Sequence, residues 1–277
     1  MNGGTMNYGR DAIAALRDIE AKDGESQRKS IQSVEIGARV LLALLKADRG
    51  ESFLREVADN SGLSRSQAHR YLLAFVNTGM VEQNPERGQY ALGQLAVRLG
   101  LAAMARMDPL RIATEHLERL LSELKTTGLL SVWGDYGPTV IRWIDGGIPL
   151  FTSMHVGSNL PLQGSSTGTL FLAFCPKEQT AERVAREREE GIVVDDEELA
   201  KQVEEARKQG LARTYGSVVP GLSAVSVPVL DSQGNLVATM SILARSQDKP
   251  FFSKARIERI IQQGREASIA IGWSGKT

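Results

Sequence analysis

One cysteine, Cys175, and three histidines occur in 277 residues. A lone thiol excludes a disulfide framework, and so few thiol and imidazole groups leave no zinc-finger constellation. No metal and no cofactor are expected. Absence of disulfides suits a reducing compartment, so a cytoplasmic location is expected. No apolar run reaches membrane-spanning length and no secretory leader is recognisable, so no membrane contact is expected either. There is also no charge of one sign: 33 basic residues balance 33 acidic ones, which removes any bulk signal for a polyanionic partner.

What is present is an ordinary globular composition, with 42% hydrophobic and 24% charged residues, ample for a core. The length fits two domains better than one. Overall neutrality conceals a local imbalance. Between Ser26 and Met80 eight basic side chains, Arg28, Lys29, Arg65 and Arg70 among them, face five acidic ones, the right sign for a phosphate backbone.

Within that stretch the pattern from Ser52 to Leu92 reads as a helix-turn-helix followed by a wing. Ser52 is expected to cap a short helix with Phe53, Leu54, Val57 and Ala58 at helical spacing. Asn60, Ser61 and Gly62 end it, and Leu63 supplies an apolar plug between helices. Ser64 caps a second helix, Arg65–Thr78, with Ala68, Leu72, Phe75 and Val76 inward. That stripe leaves Arg65, Ser66, Gln67, His69 and Arg70 outside. Glutamine can bond adenine bidentately and arginine can bond guanine, and the start of this helix is the part that enters the major groove. Gly79 closes the helix. Met80–Gln83 and Gln89–Leu92 then pair as a hairpin whose tip carries Arg87, suited to a phosphate or minor-groove contact. A winged helix used for protein association is the alternative reading.

The flanks are plainer. Residues 1–27 read as a flexible leader containing one amphipathic stretch, Asp11–Lys22; Arg28 and Lys29 form a short basic arm after it. Val34–Leu45 reads as a helix with Val34, Ala38, Leu41, Leu42 and Leu45 inward. Leu95–Met107 reads as an apolar connecting helix that packs either on its own domain or on a second copy, and two half-sites on DNA favour the second copy. Asp108 and Pro109 then open a helix, Leu110–Lys125.

The remainder alternates strand and helix patterns. Leu129–Gly134, Thr139–Asp145 and Ile148–Met154 read as a three-strand meander. Thr167–Phe174 reads as a buried helix, and Thr180–Glu190 and Asp196–Gln209 as charged surface helices. Leu211–Tyr215, Ala224–Leu230 and Leu236–Leu243 are further strands, and Ser253 caps a closing helix. The fold class expected is α+β, a mainly antiparallel sheet flanked by helices. Catalysis finds little support. His155, Cys175, Ser165 and Ser166 lack the order of a nucleophile site, and no GxSxG stretch occurs. His116 reads as a structural or surface histidine, and Cys175 as a small buried hydrophobe. An enzyme with a fused regulatory domain remains the least favoured reading.

Four stretches together carry a resemblance. They are Gly62-Leu63-Ser64 through His69-Arg70, Tyr90-Ala91-Leu92-Gly93, Gly157 to Leu162, and Ala224 to Val229 followed by Asp231 and Gly234. In this order, over nearly all of Ser30 to Trp273, the chain resembles the IclR family of bacterial transcriptional regulators. The resemblance implies a winged helix-turn-helix (28–92) and a linker or dimerisation helix (93–108). It also implies a GAF-like effector domain (109–277). The implied partners are double-stranded operator DNA, a small organic acid as effector, and a second copy in a homodimer or dimer of dimers. Carried over by position, the family's effector pocket falls on Thr152, Ser166, Thr167, Thr214, Leu222, Ala224, Ser241 and Leu243. The residues agree: Ser165 to Gly168 open a helix whose unpaired N–H groups favour a carboxylate.

Two departures from the family stand out. Gln163 and Gly164 replace the usual His and Ala, and Thr214 to Val219 replace acidic residues before a late strand. A pocket without those carboxylates suits an anionic or apolar ligand. Leu160 to Pro176 looks closest to the branch regulating aromatic-acid catabolism, which makes an aromatic carboxylate the expected effector.

Overall fold

The computed structural model describes residues 31–45, 50–104, 106–146, 150, 152–192, 194–247 and 251–275. The leader, its Asp11–Lys22 stretch and Arg28 lie outside the described residues. The chain divides into two compact units, Met1–Met107 and Asp108–Thr277.

The first unit contains α1 (Gln32–Leu45), α2 (Leu54–Ser61), α3 (Arg65–Thr78) and α4 (Gln94–Met104). Its antiparallel sheet has the order β1 (Glu51–Ser52), β3 (Tyr90–Leu92), β2 (Val81–Gln83). The core is Val40, Ala43, Leu44, Val57, Leu72, Val81 and Tyr90, with Leu63, Phe75 and Val76 packed against it. Leu63 thus plugs the turn as expected.

Two expectations are corrected here. Ser52 does not cap α2: it pairs with Tyr90 as part of β1. Phe53 holds the cap position instead, and the Glu56 carboxylate accepts its N–H at 2.8 Å. The helix begins at Leu54, so Ser52 lies one residue before the cap position. The inward face of α1 is also rotated. Val34 is 65% exposed and Leu45 38%, whereas Gly37, Val40, Ala43 and Leu44 are buried. Gly37 marks the crossing with α3, because a Cβ there would stand 3.0 Å from the Phe75 ring. The smallest residue, not the largest, chose the face.

In the second unit, α5 (Pro109–Leu124) opens on Asp108, whose Oδ1 accepts the N–H groups of Leu110 and Arg111 at 3.1 Å. Five antiparallel strands follow in the order β5 (Gly137–Ile144), β4 (Thr127–Gly134), β8 (Leu236–Arg245), β7 (Leu222–Leu230), β6 (Ala212–Tyr215). Period-two alternation divides the sheet. Val225, Val227 and Val229 face one layer, joining Leu117, Leu120 and Leu121 of α5 and Ile257 and Ile260 of α9 (Lys254–Ala270) in the main core. Ala224 and Ser226 face the other layer and α6 (Ser166–Phe174).

Of the third strand expected over Ile148–Met154, Ile148, Pro149 and Phe151 lie outside the described residues, and no strand is found among the others. Thr152 to Met154 carry no ladder pairing, and the Thr152 Oγ1 accepts the Met154 N–H at 3.1 Å. A turn at His155–Ser158, closed by Ser158 Oγ on the His155 N–H and ring, delivers the next segment to the sheet instead. There Asn159 bridges Thr139, and Val140 N–H donates to the Ser158 carbonyl at 2.9 Å.

Behind α6 lie α7 (Lys177–Glu189) and α8 (Asp196–Gln209), the latter ending at Gly210 with φ 64°. Ala206 of α8 packs on Leu170 and Ala173. Arg207 ties down the end of α6 by donating twice to the Ala173 carbonyl, at 2.9 and 2.7 Å.

Candidate functional site

Two sites arise, one in each unit. In the first, Ser64 caps α3 and takes part in a reciprocal box: its Oγ accepts the Gln67 N–H at 3.3 Å. The Gln67 Oε1 accepts the Ser64 N–H at 3.1 Å and its hydroxyl at 3.0 Å. Arg65, Ser66, Gln67, His69 and Arg70 are all exposed, while Ala68 and Leu72 are buried. His69 and Arg70 make no ion pair among the described residues. Their outward face is available to a partner.

Gln67 is different. Its carbonyl oxygen is committed to the cap, so a bidentate contact to adenine requires it to leave the box. The spacing Ser64-x-x-Gln67 was readable as a capping box, and this competing role was missed. At the wing, the Asn84 side chain accepts the N–H groups of Glu86 and Arg87 at 3.0 and 3.2 Å. That turn leaves Arg87 exposed at the tip.

The second site is a cavity of about 380 Å³, open mouth included, between the start of α6 and the sheet. Seven of the eight residues expected there line it: Ser166, Thr167, Thr214, Leu222, Ala224, Ser241 and Leu243. Thr152 does not; its Oγ1 is engaged by the Met154 N–H instead. Leu129, Met154 and Leu160 also line it and were not expected there, while Ser165 and the stretch holding Val218 and Val219 were singled out without being assigned to the wall. None of the described lining side chains is ionisable.

Local chemistry builds the polar end. Ser165 caps α6, accepting the Gly168 N–H at 2.8 Å and donating to the Pro161 carbonyl. The remaining N–H groups of the first turn have no partner within the helix. Gly168 is required by contact: a Cβ there would lie 2.2 Å from the Pro161 carbonyl oxygen. The loop before the helix is held from outside by Glu187 of α7, whose side chain is fully buried. Its carboxylate accepts the N–H groups of Leu162 (2.7 Å) and Gln163 (3.0 Å) and pairs with Arg183 (3.1 Å). No local signal marks Glu187, since its helix reads as a charged surface helix.

Four hydroxyls run across the helix–sheet contact. Ser166 Oγ meets Ser226 Oγ at 2.7 Å, Ser226 meets Ser241 at 2.7 Å, and Ser241 meets Thr167 at 2.9 Å. Ser226 stands behind the wall and was not singled out.

The residues weighed for catalysis stay apart. His155 closes the turn with Ser158, at 2.9 Å. Cys175 ends α6, and burial pushes its thiol up to about 11, far from nucleophile character. His116 is buried and bonded through Nδ1 to Gln263 at 2.6 Å. Burial, reinforced by Arg119, holds its pKa below 6.5 against the pull of Glu266 and Glu115. Among the described residues no helix is long and apolar enough to cross a membrane.

Known proteins give this geometry a context. The family described as bacterial transcriptional regulator IclR C-terminal matches residues 101–273, and the IclR helix-turn-helix domain matches residues 33–85. The transcriptional regulator XynR of Escherichia coli is 24% identical over 249 residues, 88% of this chain and 98% of its own. KdgR of Escherichia coli is 27% identical over 224 residues, 79% of this chain and 84% of its own. The crystal structure of Pseudomonas aeruginosa HmgR matches with a TM-score of 0.80 at 33% identity, covering 89% of this chain and 100% of that one. XynR and KdgR are named as transcriptional regulators, not enzymes. With an exposed recognition helix in one unit, a cavity in the other and a family model over more than half its length, the chain belongs to the IclR family of bacterial transcriptional regulators, joining helix-turn-helix DNA binding to an IclR-type ligand-binding domain.

Proposed function

We propose that the effector is an aromatic or similarly apolar carboxylate held in the cavity of the second unit. The observation that carries this reading is the make-up of the wall. Helix N-terminal N–H groups and hydroxyls stand at one end, Leu129, Leu222 and Leu243 line the rest, and no carboxylate repels an anion.

At the operator, Arg65, Ser66, His69 and Arg70 meet the major groove, with Gln67 joining once its cap opens. Arg87 grips the backbone beside it, and Arg28 follows the adjoining groove. Two copies act together. Val97, Leu99 and Leu101 of α4 are 57%, 52% and 62% exposed, an apolar surface suited to a second chain, and paired recognition helices match half-sites about 34 Å apart. The effector shifts operator occupancy only by binding one arrangement of the pair better than the other.

The test is binding to the DNA upstream of this protein's own gene, titrated with salt and with a panel of aromatic acids. The reading expects preference over unrelated DNA, a steep loss with salt, and a change on adding at least one acid. Specific binding with no heat and no thermal shift from any acid overturns the effector class alone.

A further inference from the structure

We propose that Ser226, which does not line the cavity, sets the preference for the effector's head-group by fixing how many hydroxyl donors Ser166, Thr167 and Ser241 can offer. The inference rests on the reading that the cavity takes a carboxylate. All four hydroxyls of the chain are at most 3% exposed: Ser166 2%, Ser226 0%, Ser241 1% and Thr167 3%. Each oxygen carries one proton, and three bonds join the four in series. Three protons are consumed within the chain, and one is left. Ser226 is fully buried between two partners, so the spare proton goes to a member on the cavity wall: Ser166, Thr167 or Ser241. This chain therefore offers a ligand one hydroxyl donor at a time, beside the Thr214 hydroxyl that lines the cavity independently of it, and the three bonds can reverse together to place it at either end.

Removing Ser226 raises that number. Ser226→Ala splits the chain into Ser166 alone and the Ser241–Thr167 pair. Ser166 keeps its proton, and the pair consumes one of two, so these residues offer two donors where they had one. A carboxylate has two charged oxygens that use both. A carboxamide has one carbonyl oxygen and uses one. The substitution therefore shifts preference toward the carboxylate, although it deletes a hydroxyl from a polar site.

The experiment measures the affinities of benzoate and benzamide by calorimetry for the full-length protein and for Ser226→Ala. The ratio of the two should rise by roughly tenfold in favour of benzoate, the worth of one hydrogen bond to a charged group. General loosening of the fold weakens both ligands together and leaves the ratio unmoved. Ser226→Thr, which restores the hydroxyl, should return the ratio to the wild-type value. Ser226→Cys, a weak donor of similar size, should shift the ratio as alanine does if the alanine variant folds poorly. An unchanged or falling ratio, with benzoate still binding the unsubstituted protein, overturns the role of Ser226 alone. Failure of benzoate and every other aromatic acid to bind the unsubstituted protein overturns the effector reading, and this inference with it.

Discussion

The recognition helix and the cavity solve opposite problems with similar residues. On α3, Arg65, Ser66, His69 and Arg70 point outward with little to hold them. In the second unit, Ser166, Thr167, Ser226 and Ser241 already bond to one another and are buried. The first surface keeps its polar groups solvated until a partner replaces the water. The second has removed them from water and must satisfy them internally, because a buried unpaired hydroxyl costs free energy. Substitutions on α3 should therefore alter binding and spare stability, while those around α6 should do both.

The largest expected effect sharpens this contrast. Glu187→Ala leaves the Leu162 and Gln163 N–H groups and the Arg183 guanidinium without their buried acceptor. Loss of one partner from such a site costs about 3–5 kcal/mol, read as a large fall in the denaturation midpoint. Arg55→Ala removes an exposed pair with Asp59 at 3.7 Å and should leave that midpoint unmoved. Equal effects of the two would break the comparison.

Next is Arg70→Ala, which should cost about 1–3 kcal/mol of operator discrimination with an unchanged melting temperature. Arg87→Ala should weaken binding more evenly across sequences and lessen its salt dependence. Ser64→Ala comes third. It removes one half of the capping box and should destabilise the first unit by about 1 kcal/mol. Gln67→Ala removes the other half, so it is the one α3 substitution expected to affect both stability and DNA preference. Measuring both on Gln67→Ala decides whether its cap contact or its base contact matters more.

The same contrast explains what the sequence made legible. The helix-turn-helix depends on contacts within a few residues: the Ser64 cap, the Gly62 and Gly79 stops and the apolar spacing of α3 all precede any tertiary fact. The face of α1 was misread because its choice depends on Gly37 meeting Phe75, across the domain. The cavity is non-local throughout. Ser166 meets Ser226 sixty residues on, and Thr167 meets Ser241 at a separation of 74. Nothing in either local pattern announces the other, so only the family resemblance reached seven of the wall residues. Thr152 does not join that wall, and Thr152 to Met154 carry no ladder pairing. Glu187 was hidden for a similar reason. A carboxylate in a helix full of charges gives no sign of being the buried one.

A smaller effect separates the units by pH. The folded state holds His116 below 6.5, chiefly through burial, so on acidification the unfolded chain takes up its proton first. Stability from this group is complete above pH 6.5 and is lost as pH falls through the folded pKa. His116→Gln, which cannot titrate, should flatten the decline in stability of the second unit on the acid side of pH 6.5. A decline just as steep in the variant would assign it to other groups.

The smallest expected change in stability belongs to Cys175, and its use lies in what it reports. The thiol ends α6, half-buried, with its pKa near 11. Cys175→Ser should leave DNA and effector binding as they are. In the unsubstituted protein, alkylation near neutral pH should be much slower than for an exposed thiol of ordinary pKa near 8.5, because the thiolate is the reactive species. Labelling then proceeds through transient release of the end of α6, which Arg207 ties down at the Ala173 carbonyl. The α6 N-terminus borders the cavity and its C-terminus carries the probe. A ligand that holds the first turn in place should therefore slow labelling at the last. If a bound aromatic acid leaves the labelling rate unchanged, the two ends of the helix open independently, and closure of the hydroxyl chain does not extend along α6.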